Sequence, residues 1–165
     1  IENNNLYYSY ICDCGVAVFN NDGKLVFKTE DDMEKVNKHF DTGSFNWNQP
    51  EARIIVRKDY RNNPNNKYSY GAITGEREFE HYLKEGSLKL NDNDIVIVYS
   101  DGFANYLFDK DFYNNLINLI NKDYSTFQNY LEKMGSKDYR KYGKEKTLVV
   151  IKNGWFNFWN KFFQW

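Results

Sequence analysis

The chain has 165 residues, and its 22 lysines and arginines against 23 aspartates and glutamates leave a net charge near −1. That balance lacks the basic excess that a nucleic-acid-binding surface needs, so we expect no nucleic-acid partner. Hydrophobic residues make up 41% of the sequence and aromatic residues 19%, which is too much core-forming material for a disordered chain. The length is typical of one domain with a substantial core.

The cysteine content indicates a reducing environment. Cys12 and Cys14 are the two cysteines of the chain, and residues two apart rarely form a disulfide. We therefore expect a cytoplasmic location. No secretory signal or long apolar span is visible in the sequence. Because the chain begins with Ile1, we expect residues upstream of it in the whole protein.

The first half of the chain predicts strands and one helix. Leu6 to Ile11 and Val16 to Phe19 are apolar, aromatic-rich segments typical of strands. An Asn-Asn-Asp-Gly turn then predicts a hairpin with Lys24 to Lys28. Met33 to Phe40 has the spacing of a short amphipathic helix, and Arg53 to Lys58 is apolar in its middle and indicates another strand.

The second half predicts mainly helices around two strands. Glu76 to Lys84 indicates a helix, and Ile95 to Tyr99 a strand buried on both faces. Two amphipathic helices are predicted at Phe112 to Ile120 and at Tyr124 to Met134. The apolar segment Leu148 to Ile151 predicts a closing strand.

The buried strand Ile95 to Tyr99 ends at Ser100-Asp101-Gly102, and this turn is the first candidate site. Glycine after the acid permits a sharp turn, which leaves a carboxylate at the end of a central strand. Two interpretations stay open at this point. Asp101 is either a ligand in a site, or an acid that starts the next helix, which we place at Ala104 to Leu107.

Four short motifs follow one another in an order that resembles a known family. They are Cys12-Asp13-Cys14, Gly71-Ala-Ile-Thr-Gly-Glu76, Ser100-Asp101-Gly102 and Lys144-Glu145-Lys146-Thr147. Together they resemble the later part of the type 2C (PPM) metal-dependent serine/threonine protein phosphatases, in their bacterial form. The resemblance implies an incomplete phosphatase-like domain over residues 1–152. It also implies an α+β fold, a mostly antiparallel β-sandwich flanked by helices in α-β-β-α layers.

The resemblance also implies a dinuclear magnesium or manganese site built from carboxylates. Such ions activate a bridging water and neutralise the phosphate of a phosphorylated protein substrate. By match to the family, Asp101 is a direct metal ligand with Gly102 beside it, and Asp13 lies at the edge of an accessory site. The family's acid four residues after its Ser-Asp-Gly aspartate falls on Asn105, a neutral and weaker ligand.

The last motif departs from the family pattern. Aligned without a gap, the family's ligand acid falls on Lys144, a cation that would repel a metal ion. Glu145 is one position along and could substitute if the loop shifts. Alternatively, the alternating charges before the closing strand are simply a solvated segment.

Two further family elements are missing, namely a phosphate-binding start and an Asp-Gly-His-Gly-Gly metal element. We therefore expect this chain alone to be inactive and to need an amino-terminal segment or a partner subunit. The main alternative is a catalytically inactive pseudophosphatase that acts as a binding or regulatory module. A third interpretation is a structural or assembly subunit that makes its contacts through an aromatic tail.

That tail, residues 153–165, carries large aromatic side chains at helical spacing. They are Trp155, Phe158, Trp159, Phe162 and Phe163. We predict a helix from Trp155 to Trp165 whose aromatic stripe is covered. Packing on its own domain ranks first, a partner subunit second and a membrane surface third, because Lys161 is its single charged residue.

Overall fold

The computed structural model describes residues 1–41, 49–143, 145–153 and 162–164. The architecture is α+β, with two antiparallel sheets and helices, which confirms the predicted class. The strands are β1 (Asn5–Tyr10), β2 (Gly15–Phe19), β3 (Leu25–Lys28), β4 (Lys84–Lys89), β5 (Ile95–Tyr99), β6 (Thr147–Lys152) and β7 (Phe162–Gln164). The α-helices are α1 (Met33–Asp41), α2 (Pro50–Ile55), α3 (Asp101–Ala104), α4 (Phe112–Ile120), α5 (Tyr124–Lys137) and α6 (Tyr139–Tyr142). A π-helix covers Val56–Tyr60, and 3₁₀ helices cover Arg77–Tyr82 and Tyr106–Phe108.

The chain forms two compact units. The first, which we call the sheet unit, comprises Ile1–Leu6, Cys14–Thr29 and Ser87–Trp165. The second unit comprises Tyr7–Asp13 and Glu30–Gly86. The predicted domain boundary between residues 152 and 153 stays a prediction.

The sheet unit contains a five-stranded sheet in the order β3-β2-β5-β6-β7, and β5 is its central strand. Each neighbouring pair is antiparallel, with Ala17 opposite Ile97 and Ile97 opposite Val150. The five residues of β5 are aliphatic or aromatic because both sides of this strand need apolar cover; Val98 alone among them is exposed. A separate two-stranded sheet pairs β1 with β4.

Alternate strand residues form the main core with the helices that follow β5. Ala17, Phe19, Ile95, Ile97, Tyr99 and Leu148 share one face of the sheet. The buried helix residues of the same cluster include Phe103, Phe112, Leu116 and Phe127. The apolar residues that alternate along the strands and those that recur every 3.6 residues along the helices thus form one apolar layer.

The predicted hairpin and the two long helices are confirmed. β2 and β3 pair through a turn in which the Asn20 side-chain oxygen accepts from the amides of Asp22 and Lys24. Gly23 has a φ of +80°, which other residues rarely adopt. Helices α4 and α5 cover the two predicted amphipathic segments, and the N-cap of α5 is Asp123, whose carboxylate accepts from the Thr126 amide.

The predicted strand at Arg53 to Lys58 is wrong, because this segment is helical. Pro50 stands in the first turn of α2, where its fixed φ suits a helix start, and the π-helix follows without a break. Ile54 and Ile55 are 62% and 44% exposed. The apolar middle of the segment therefore does not mark a buried strand.

The predicted helix at Glu76 to Lys84 is confirmed only as a shorter segment of 3₁₀ type. A 3₁₀ helix covers Arg77–Tyr82 and has no buried residue, and Lys84 already belongs to β4. The residues of β4 alternate between partly buried and exposed, which is the period of a strand. The sequence prediction missed this strand because Gly86 interrupts its pattern.

The helices predicted at Ala104 to Leu107 and at Trp155 to Trp165 need correction. The helix after β5 starts at Asp101 rather than Ala104, and a 3₁₀ helix replaces its expected end. In the aromatic tail, Phe162–Gln164 is strand β7, paired with β6, so the helix is wrong there. Residues 154–161 and 165 lie outside the described part of the chain. Within the described ranges, no helix has both the length and the apolar character to cross a membrane.

Candidate functional site

The turn after β5 is tied to the start of β6 by two hydrogen bonds. The Ser100 amide donates to the Thr147 carbonyl oxygen over 3.1 Å, and the Thr147 amide donates to Ser100 Oγ over 2.9 Å. These bonds continue the antiparallel ladder beyond the Tyr99–Leu148 pair. Residues 47 positions apart are thereby fixed side by side. We call Ser100–Gly102 and Glu145–Thr147 together the 100/147 junction.

Gly102 brings the two halves of this junction into direct backbone contact. A Cβ atom at this position would clash with the Glu145 carbonyl oxygen and would lie 2.8 Å from Lys146 Cβ. The glycine is buried, so neither segment has free space on that side. Only a residue without a side chain permits this approach, which explains the glycine after Asp101.

Asp101 is half-buried and is the first residue of α3. Both interpretations of its carboxylate fit that position, since the acid ends the central strand and also begins a helix. The role of Asn105 as a weaker, neutral ligand stays a prediction. Its amide nitrogen donates to the Lys141 carbonyl oxygen over 3.1 Å and so fixes the loop before β6.

The core beneath the junction is aromatic. The Tyr106 hydroxyl donates to the Tyr142 carbonyl oxygen over 3.1 Å, and burial raises the pKa of Tyr106 to about 12. Lys146 Nζ lies 5.9 Å from the centre of the Tyr106 ring, and burial lowers the pKa of Lys146. A cation with a reduced preference for its charged form is thus held beside the junction.

The other predicted site residues are distributed unevenly. Glu145 is exposed within the junction. The junction therefore contains three of the four assigned positions, Asp101, Gly102 and Glu145. Asp13 belongs to the second unit, and its part in an accessory site stays a prediction. Lys144 lies outside the described residues, so the choice between Lys144 and Glu145 as ligand also stays open.

The described donors do not complete a dinuclear metal site. Over residues 1–41, 49–143, 145–153 and 162–164, no group of three or more histidine, cysteine, aspartate or glutamate side chains could hold an ion. The junction offers two carboxylates, those of Asp101 and Glu145. Hard divalent ions need about six oxygen ligands, so further ligands would have to come from elsewhere.

Two features of the junction escaped the sequence prediction. The Ser100 hydroxyl accepts a backbone hydrogen bond from Thr147, a role that the motif alone does not reveal. Exposed cations also lie at the end of α5 and in α6, at Lys137, Arg140 and Lys141. Their sequence signal is the run of charged residues between Gly135 and Gly143.

No protein-family model matches the chain, and no curated protein sequence matches it either.

Proposed function

We propose that the chain is part of a metal-dependent phosphoserine/phosphothreonine protein phosphatase of the type 2C kind. The observation that carries the proposal is the 100/147 junction. Two motifs that the resemblance places at one metal site lie far apart in the sequence and are joined here by two hydrogen bonds and a glycine contact. Asp101 and Glu145 are the residues that would contribute to holding magnesium or manganese.

The fold supports the same proposal at a coarser level. A five-stranded antiparallel sheet with helices α4 and α5 packed on one face provides one β layer and one α layer of an α-β-β-α sandwich. The finer layering of the type 2C fold is part of the proposal. In it, Asp101 lies at the end of the central strand, where a bound ion would meet the substrate phosphate.

Local charge also favours a phosphorylated substrate. Lys137, Arg140 and Lys141 are exposed, and the Asn105 amide fastens the Lys141 backbone to the segment that follows Asp101. Cations near a site attract a dianionic phosphate monoester and speed its association. Their effect would fall as the salt concentration rises.

A second candidate is a pseudophosphatase that binds a phosphorylated partner without hydrolysing it. The incomplete donor set of the described residues favours it, because two carboxylates do not bind a pair of ions tightly. In this case the cations at the end of α5 and in α6 would bind the phosphate, and Asp101 would serve only to start α3.

Turnover of p-nitrophenyl phosphate by the whole protein tests the proposal. The enzyme reading predicts hydrolysis that requires manganese or magnesium and that falls at least about a hundredfold in Asp101→Asn. The variant should keep its fold, because Asp101 is only half-buried. Equal turnover in variant and wild type would reject the metal-ligand role, and absence of metal-dependent turnover would favour the pseudophosphatase.

A further inference from the structure

A cationic groove lies within the second unit and contains no residue of the 100/147 junction. It has a volume of about 460 Å³ and lies beside the π-helix and the loop that precedes the 3₁₀ helix Arg77–Tyr82. Its charged and amide lining residues include Arg57, Lys58, Arg61, Asn62, Glu76 and Glu78. Three cations and two carboxylates thus line one groove of the size that holds a small ligand.

Asn62 makes one wall of the groove rigid. Its side-chain oxygen accepts from the Ala72 amide over 2.8 Å, and its side-chain nitrogen donates to the Ala72 carbonyl oxygen over 2.8 Å. The same nitrogen lies 3.1 Å from Glu76 Oε2 and 3.3 Å from Thr74 Oγ1. Asn62 is 7% exposed and has a φ of +49°, which asparagine tolerates better than most residues. Its backbone and side chain therefore stay in one arrangement.

Arg61 is held in place by an acid of the same wall. Its Nη2 lies 3.2 Å from Glu76 Oε1, while Glu76 also accepts from Asn62 and Thr74. Burial raises the pKa of the neighbouring Tyr70 hydroxyl, and the charges of Arg61 and Arg57 act in the opposite direction.

Arg57 and Lys58 supply charge that the protein itself does not use. Both are exposed on the π-helix, and within the described part of the chain neither side chain has an ion-pair or hydrogen-bond partner. Since Glu76 is engaged by Arg61, the remaining charges of the lining are those of Arg57 and Lys58 against Glu78. The positive charges of Arg57 and Lys58 repel each other, and a bound anion would offset this repulsion.

We propose that this groove binds a phosphoryl group, as the monoester dianion of a phosphorylated ligand. Arg57 and Lys58 attract an anion, and the planar guanidinium of Arg57 matches a pair of phosphate oxygens. Arg61 adds a third cation in a fixed position at the same groove. A carboxylate carries one charge and a phosphate monoester carries two, so the phosphate gains more from Arg57 and Lys58 than a carboxylate would, although Glu78 lies in the same lining. Binding here requires neither a metal ion nor Asp101.

The test is a titration of the chain followed by amide resonances in two-dimensional NMR. The probes are inorganic phosphate, acetate, a phosphoserine peptide and the same peptide without its phosphate. We expect saturable shifts of the amides of residues 57–63 and 76–78 with both phosphate-containing probes, and none with acetate or the unphosphorylated peptide. Tighter binding of the phosphopeptide than of phosphate identifies a protein ligand, and equal binding identifies a small phosphate.

Three variants make the test specific. The double variant Arg57→Gln/Lys58→Gln should weaken phosphate binding about tenfold or more, because each lost cation removes a charge-assisted hydrogen bond. Glu78→Gln should strengthen binding, because it removes the repelling carboxylate. The control Lys38→Gln/Lys67→Gln removes two exposed cations that do not line the groove, and it should bind like the wild type.

Several outcomes would overturn the proposal. They are the absence of saturable binding of phosphate, equal binding of acetate or of the unphosphorylated peptide, and equal weakening in the control pair. Asp101→Asn should bind phosphate in the groove normally. Turnover and phosphate binding in the groove are therefore separate readouts. Phosphate binding without metal-dependent turnover would reject only the phosphatase proposal, and turnover without phosphate binding in the groove would reject only the groove proposal.

Discussion

At the 100/147 junction, backbone groups and the Ser100 hydroxyl fix the two segments that carry the acidic residues. Ser100 and Thr147 exchange hydrogen bonds as part of the sheet, and Gly102 lets two backbone segments touch. In the cationic groove, side chains do this work: Asn62 and Glu76 hold the wall and Arg61 together. The acidic site therefore depends on strand register, whereas the basic site depends on a hydrogen-bond network that single substitutions remove.

Asn62→Ala should give the largest loss of stability. It removes the side-chain bonds to Ala72, Thr74 and Glu76 and places alanine at a positive φ, which together cost about 2–4 kcal/mol. Asn93→Ala is the matched control, since Asn93 is exposed at a φ of +67°. It should lose only the backbone term, about 1–2 kcal/mol. Urea unfolding measures both, and equal losses would contradict the network at Asn62.

Gly102→Ala should give the next largest loss, about 1–3 kcal/mol, because the new methyl group meets the Glu145 carbonyl. The two segments of the junction would have to separate. Gly135→Ala is the control: a Cβ there meets nothing within 4 Å, and it lies inside α5. Alanine should stabilise that helix by up to about 1 kcal/mol. Opposite signs in urea unfolding are expected, and a harmless Gly102→Ala would show that the junction is loose.

The smallest effect is a dependence of stability on pH through Glu76. Hydrogen bonding, first from Thr74 and then from Asn62, together with the charge of Arg61, lowers the pKa of the Glu76 carboxyl from its usual 4.5. The carboxylate therefore stabilises the fold above pH 4.5, and this contribution is lost as the pH falls through the lowered pKa. Glu76→Gln should be less stable than wild type at neutral pH, with a gap that closes below pH 4.5. Thr74→Val should narrow the same gap, and a gap that does not change with pH would contradict the assignment.

The sequence predictions succeeded for elements with a regular periodic pattern. The strand Ile95–Tyr99 and helices α4 and α5 have strong periodic patterns, and their burial agrees with those patterns. Asp101 and Glu145 lie at one junction because an antiparallel pair of strands joins the end of one to the start of the other, and their role as metal ligands stays a prediction. What the sequence could not reveal was the acceptor role of Ser100.

The predictions failed where local pattern was weak. At Arg53 to Lys58 the apolar residues resembled a strand, but Pro50 started a helix that leaves Ile54 exposed. The groove was missed because its residues come from the π-helix and from a separate loop, and only the fold brings them together. The several hydrogen bonds of the Asn62 side chain have no sequence signature, since they depend on a positive φ that the sequence does not specify.

The most direct test of the central claim is a manganese titration of the chain, read from the broadening of amide resonances by the paramagnetic ion. The junction predicts that the amides of Asp101, Gly102 and Glu145 broaden first. Asp101→Asn should abolish this broadening and Glu145→Ala should weaken it, whereas Asp22→Asn, which removes an exposed acid of the hairpin turn, should leave it unchanged. Broadening that is absent from the junction, or that persists there in Asp101→Asn, would contradict a metal site at the end of the central strand.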